Sequence, residues 1–150
     1  MPDSALKTQL IADMKSSMKS GDKARLLVIR NMLSAIKQIE VDERIDLDET
    51  RVIAVLDKMS KQRRESIAQF TTAGREDLIK IEVAELEIIQ EYLPEALSDA
   101  EIETEIENAI NTTGASSIKE MGKVMGLLKP KLQGRADMGK VSQLIKSRLA

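Results

Sequence analysis

The sequence predicts an all-α protein, on three observations. Apolar residues recur at three- and four-residue spacing in one segment after another, whereas strand-like alternation is not found. The chain must build its core from Leu, Ile, Val, Ala and eight Met, with one Phe, one Tyr and no Trp, a set that suits helix-on-helix packing. Its 150 residues, 42% apolar and 32% charged, fit one globular domain or two small ones rather than a disordered chain.

The first helix opens at Asp3 or Ser4, carries Leu6, Leu10, Met14 and Met18 at every fourth position, and closes at Gly21. Asp22 caps a second, whose stripe is Leu26, Ile29, Met32, Leu33, Ile36 and Ile39. It ends near the acidic loop EVDERIDLDE. Asp42, Asp46 and Asp48 lack the central Gly and closing Glu of a calcium loop, so Asp46 or Asp48 is expected to cap the next helix. That third helix runs from about Glu49 to Ala73, stops at Gly74, and shows Val52, Leu56, Met59, Ile67 and Phe70 on one face.

Arg63 interrupts this face. A guanidinium on an apolar seam requires a partner, because an isolated buried charge costs about several kcal/mol. Glu82 and Glu85 of the fourth helix, REDLIKIEVAELEIIQEYL, are the first choices. The trio reads as an inter-helix salt bridge or, alternatively, as part of a site.

The pattern stops at Tyr92-Leu93-Pro94, and Ser98 with Glu101 forms a capping box that starts a new helix. A joint at YLPEALS therefore divides a multihelical N-terminal domain, 1–93, from a small three-helix C-terminal domain, 98–150. Residues 98–118 hold five acids and no base, whereas 119–150 hold eight bases against Glu120 and Asp137. Ser117 and Glu120 form a second capping box. On a wheel drawn from there, Ile118, Met121, Met125, Leu128 and Leu132 make the apolar stripe, with Gly122 and Gly126 a quarter turn away beside Lys119 and Lys123. Two mid-helix glycines cost about 1 kcal/mol each relative to Ala, so something is expected to approach closely there, either a neighbouring helix or a phosphate backbone. Pro130 kinks or ends this helix, Gly134 breaks the chain, Asp137 caps the last helix, and MGKV occurs twice, at 121–124 and 138–141.

GRADMGKVS, 134–142, falls one residue short of a phosphate-binding loop. Val141 stands where Ser or Thr must hold Mg²⁺, and a helix rather than a strand precedes it, so no nucleotide site is expected. Cysteine and histidine are both absent, which removes thiolate and imidazole chemistry and leaves Ser, Lys and carboxylates as catalytic groups. No metal and no cofactor are expected. The N-terminus shows no signal-peptide core and no apolar run is long enough to span a membrane, which reads as a cytosolic protein without a membrane partner.

KQRRESIAQFTTAGREDLIKIEVAELEIIQEYLPEALSDAEIE, followed by GASSIKEMGKVMGLLKPKLQGRADMGKVSQLIKSRL, resembles the YqeY family over essentially the whole chain. The family's C-terminal part is similar to the tail domain of the B subunit of the glutamine-dependent aspartyl/glutamyl-tRNA amidotransferase. The resemblance implies a multihelical domain followed by three helices. It also implies a tail that holds tRNA by shape, away from glutamine hydrolysis and carboxylate activation, which the larger enzyme performs elsewhere. The family is labelled as amidotransferase-like, with carbon–nitrogen ligase activity using glutamine as amide donor; the residues here give that label no support. Met138-Gly139-Lys140 departs from the family pattern after GRAD, so a phosphate contact by Lys140 would be this chain's own feature.

The expected function is a non-catalytic module that binds tRNA through Lys119, Lys123, Lys129, Lys131, Arg135 and Lys140, with Gly122 and Gly126 letting the backbone approach. The alternative is a module docking on an acidic protein, such as a component of tRNA charging or of an amidotransferase. An enzyme would have to rely on Ser60-Lys61 or Ser66 with Arg63, Glu82 and Glu85.

Overall fold

A computed structural model describes residues 4–150. Its elements are all helical: α1 (Ala5–Ser20), α2 (Lys23–Glu43), α3 (Glu49–Thr72), α4 (Glu76–Tyr92), α5 (Asp99–Thr113), a 3-10 turn (Ile118–Glu120), α6 (Met121–Leu132) and α7 (Met138–Leu149). They gather into two compact units, one ending at Leu93 and the other running Pro94–Ala150.

In the first unit Ser4 has two tasks. Its Oγ accepts from Lys7 N at 3.1 Å, capping α1, and donates to Glu49 Oε1 at 2.7 Å, tying α1 to the first turn of α3. Asp3, the other expected start, lies outside the described residues. Asp22 caps α2 and Asp48, rather than Asp46, caps α3, each accepting the backbone N–H three residues on. The core collects Leu10, Ile29, Met32, Ile36, Leu56 and Ile89. Met18 is corrected: it is 54% exposed, and Ser17 is buried instead. Four-residue steps drift by about 40° each around a 3.6-residue helix, so the fourth member of such a series has turned away from the face of the first.

Glu40 was not foreseen as a core residue. It is 6% exposed, takes Lys7 Nζ at 2.8 Å on both oxygens, and accepts Leu47 N at 3.0 Å. The Lys7 ammonium, ahead of the Leu47 amide, holds this carboxyl below its ordinary range. One carboxylate thus closes the turn after α2, where Arg44 adopts φ 57°, and lets Leu47 enter the core.

α3 and α4 pack chiefly on each other as a hairpin. Past Ser60 on α3 and before Ile89 on α4 no residue is buried, so the outer half of the hairpin is covered only by its own seam.

In the second unit the Ser98–Glu101 capping box forms in both directions, and Gly114, at φ 68°, ends α5. The core is Ile106, Val124, Leu128, Leu132, Val141 and Ile145, each almost wholly buried. The expected box at Ser117 is corrected. Ser117 makes no capping bond, Ile118–Glu120 is a 3-10 turn, and Glu120 accepts from Ser116 N at 3.2 Å instead. Ile118, in that turn and outside α6, is 50% exposed, whereas Val124, missing from the expected stripe, stands one turn before Leu128 on the same helix face and is fully buried. Pro130 lies inside α6, two residues before its end. Asp137 caps α7 by accepting Gly139 N at 2.9 Å. Both MGKV copies occupy the first four positions of a helix, α6 or α7, with the Val buried and the Gly and Lys exposed.

Candidate functional site

The outward face of α6 follows from burying Val124, Leu128 and Leu132. Once these point inward, Gly122, Lys123, Gly126, Leu127 and Pro130 must turn outward, and all five are exposed. Lys119 continues the face into the 3-10 turn, and Lys129 stands in line with Gly122, seven residues on. A Cβ added at Gly122 or Gly126 would meet nothing within 4 Å. Of the two expected occupants of this surface, a neighbouring helix is therefore not supplied by the described residues of this chain.

The other basic residues have different surroundings. Lys131 Nζ lies 3.8 Å from Glu105 Oε2 on α5. Arg135 is half-buried, and its Nε donates to the Glu95 carbonyl at 3.0 Å while its own carbonyl accepts Leu97 N at 2.9 Å. Together these bonds strap residues 95–97 to the turn after α6. Lys140 lines a groove of about 390 Å³ between α5 and α7 that also holds Asp99 and Glu103, an acidic setting. The residues that the sequence groups as one basic tail thus separate into an open set, Lys119, Lys123 and Lys129, and a set with acidic or backbone neighbours.

On the α3–α4 hairpin, Arg63 meets both expected acids. Its Nε is 2.7 Å from Glu85 Oε2 and 3.5 Å from Glu82 Oε2, all three side chains about one-fifth exposed. The Nε–H points directly at neither oxygen, so the contact is an ion pair rather than a directed hydrogen bond. Ser60 is fully buried and its Oγ has no hydrogen-bond partner; Lys61 is exposed and Ser66 half-buried. Ser60 Oγ therefore has no base within hydrogen-bond reach. Among the described residues no group of three or more acids could hold a metal ion, and no helix is long and apolar enough to cross a membrane.

A network that the sequence did not reveal closes the first unit. Tyr92 Oη donates to Asp13 Oδ2 at 2.5 Å and accepts from Arg25 Nη2 at 3.2 Å, and the same Nη2 lies 2.6 Å from Glu91 Oε2. The guanidinium also sits 5.9 Å from the Tyr92 ring centroid. Burial, helped by the Asp13 carboxylate, pushes the Tyr92 hydroxyl up to about 12. The only signal was a lone Tyr placed just before Leu-Pro.

The described residues thus define an all-helical protein whose second unit presents an open lysine–glycine face. Comparison with known families gives this class a name: residues 7–149 match the model of the Yqey-like proteins, and the chain belongs to the YqeY family. Among curated proteins it is 38% identical over 101 residues to the "Altered inheritance of mitochondria protein 41, mitochondrial" of Lachancea thermotolerans, covering 65% of this chain and 54% of that one. The protein of the same name from Kluyveromyces lactis is 41% identical, over 53% of this chain and 44% of its own length. That from Pyrenophora tritici-repentis is 28% identical over 90% of this chain and 75% of its own. The chain spans about half the length of the first two. These relatives are mitochondrial proteins by name, which overturns the expectation of a cytosolic one. The physical basis of that expectation was too coarse: a missing signal-peptide core speaks only to secretion, and the want of a membrane-spanning run names no compartment.

Proposed function

We propose that the protein is a non-catalytic helical module that binds tRNA through the outward face of α6, in the service of tRNA charging or tRNA-dependent amidation. One observation carries this reading: three exposed lysines flank two glycines with open space above them. Lysines that neutralise phosphates release counter-ions, and a surface without Cβ atoms lets a sugar–phosphate backbone come near. The second unit contains no aromatic residue to stack on bases, which suits recognition by shape. The link to amidation rests on the resemblance to the amidotransferase tail. The names of the relatives make the mitochondrion the place in which to look for it.

The test is tRNA binding by the purified chain as salt is varied. Affinity on the order of 10⁻⁴–10⁻⁶ M is expected at moderate salt, falling steeply as salt rises. Lys119→Gln with Lys123→Gln should weaken binding and flatten the salt slope by roughly 0.7–0.9 for each phosphate no longer neutralised. Equal affinity in this variant and the parent at low salt removes the reading.

A second reading, an acidic protein partner, is favoured by Ile118 and Leu127, which are 50% and 42% exposed next to these lysines. Leu127→Ser separates the two, since it should impair docking on a protein and leave tRNA affinity unchanged.

A further inference from the structure

A second surface lies on α2, in the first unit, and its signature is a seven-residue spacing. Lys23, Arg30, Lys37 and Arg44 follow one another at every seventh position, the last at the helix cap, and Leu27, Ser34 and Val41 repeat at the same interval between them. All seven are exposed, Leu27 at 56% and Val41 at 58%, because the opposite face of the helix carries Ile29, Met32 and Ile36 into the core. A step of seven residues drifts by only about 20° around a helix. The cations therefore form one row and Leu27, Ser34 and Val41 a second row beside it, on a ridge about 31 Å long.

None of the four cations forms an ion pair with a described residue. Asp42, at the edge of the ridge, is taken by the Gln38 amide at 3.0 Å. The ridge ends at a groove of about 690 Å³ lined by Lys37, Val41, Arg44 and Ile45, the last 45% exposed. Of the acids in that groove, Glu40 is held by Lys7 and Asp48 by the α3 cap, which leaves Asp46 against Lys37 and Arg44.

Phosphates would account for the cations and leave the aliphatic row without a partner. A bilayer surface calls for a broad apolar face, whereas here the cations border one side of a narrow row and the neutral Ala24, Asn31 and Gln38 the other. A narrow row of aliphatic and small side chains with like charges beside it is the form in which one helix meets another, the charges choosing the partner. We propose that the outward ridge of α2 docks an acidic helix of a partner protein, which sets aliphatic side chains on Leu27 and Val41 and carboxylates, at seven-residue spacing, against Lys23, Arg30, Lys37 and Arg44. The surface belongs to the first unit and does not depend on the reading of α6.

The probe is a synthetic helical peptide of four heptads with one Leu and one flanking Glu in each and Ala and Gln elsewhere, titrated with the full chain by fluorescence anisotropy. Its control carries Lys in place of every Glu. The parent should bind the acidic peptide about tenfold or more tightly than the control, the combined effect of several exposed ion pairs. Arg30→Glu with Lys37→Glu should lose about tenfold on the acidic peptide and gain the Lys peptide, a rescue that also shows the variant to be folded. Leu27→Ser with Val41→Ser should weaken the acidic peptide by about tenfold and leave tRNA affinity unchanged. A parent that does not distinguish the two peptides, or a charge-reversed chain that fails to take the Lys peptide, overturns the inference. So does a Leu27→Ser, Val41→Ser chain that binds like the parent, which would make the ridge a surface for any polyanion, and so does tRNA that displaces the acidic peptide, which would make it a nucleic-acid surface.

Discussion

The Nε of Arg63 lies 2.7 Å from Oε2 of Glu85, and Glu82 closes in from the same helix at 3.5 Å. One guanidinium thus stands between two carboxylates, at the level where the α3–α4 hairpin leaves the core. Without it the acids would face each other across a seam that is only one-fifth exposed.

Arg63→Ala should therefore destabilise the first unit by about 1–3 kcal/mol, less than the 3–5 typical of a fully buried pair because water still reaches all three side chains. Arg63→Met combined with Glu82→Leu and Glu85→Met should recover most of the loss. Urea melts read both variants, and a parent-like melt for Arg63→Ala would show that the pairing contributes nothing in solution.

Tyr92 is the only tyrosine, so phenolate absorbance reports it alone. It should titrate near 12 rather than at the ordinary 10.0, because burial and the Asp13 carboxylate disfavour the phenolate. The sign of the linkage follows. Its contribution to stability is complete below the unfolded value of 10.0 and is lost as pH rises through about 12. Asp13→Asn should lower the midpoint, and a parent midpoint at 10.0 would rule out the buried network.

Open space over Gly122 and Gly126 sets stability against binding. Each Gly→Ala should stabilise the second unit by up to about 1 kcal/mol through helix propensity. Gly126→Leu should also fold, but should block tRNA by holding the backbone off. Thermal melts and binding isotherms on the same preparations decide; unfolding by Gly126→Leu would mean that a helix covers this face in solution.

We propose that the two units are separately folding domains, and proteolysis tests it at the joint. Glu95 is exposed, yet residues 95–97 are strapped to Arg135. A glutamate-specific protease should cut first after Glu95, and Arg135→Ala should speed that cut by freeing the strap. A chain cleaved elsewhere first, with Glu95 resistant, would argue for one cooperative block.

Much of this architecture is local and could be read residue by residue. Ser4, Asp22, Asp48, Ser98 and Asp137 cap helices because a short side-chain oxygen reaches an amide two or three residues on, whatever the rest of the chain does. Gly21 and Gly114 close helices because left-handed backbone disfavours a Cβ. Periodicity likewise identified the paired helices that bring Arg63 to Glu82 and Glu85, since charges on an apolar seam must find one another. The YqeY motifs were legible as an ordered string for the same reason.

Tertiary packing decided the rest. Glu40 and Tyr92 take their partners from 33 and 79 residues away, distances that no helical period spans. Which face of α6 turns inward was decided by the core that Val124 and Leu128 share with Ile106 of α5 and with Val141 and Ile145 of α7, while Ile118 was left in a 3-10 turn outside the helix. The candidate site was divided by the same means. A run of lysines has a charge in sequence, but whether each meets solvent, a carboxylate or a carbonyl depends on which helix faces it, and the fold left Lys119, Lys123 and Lys129 open while giving Arg135 to a strap and Lys140 to an acidic groove.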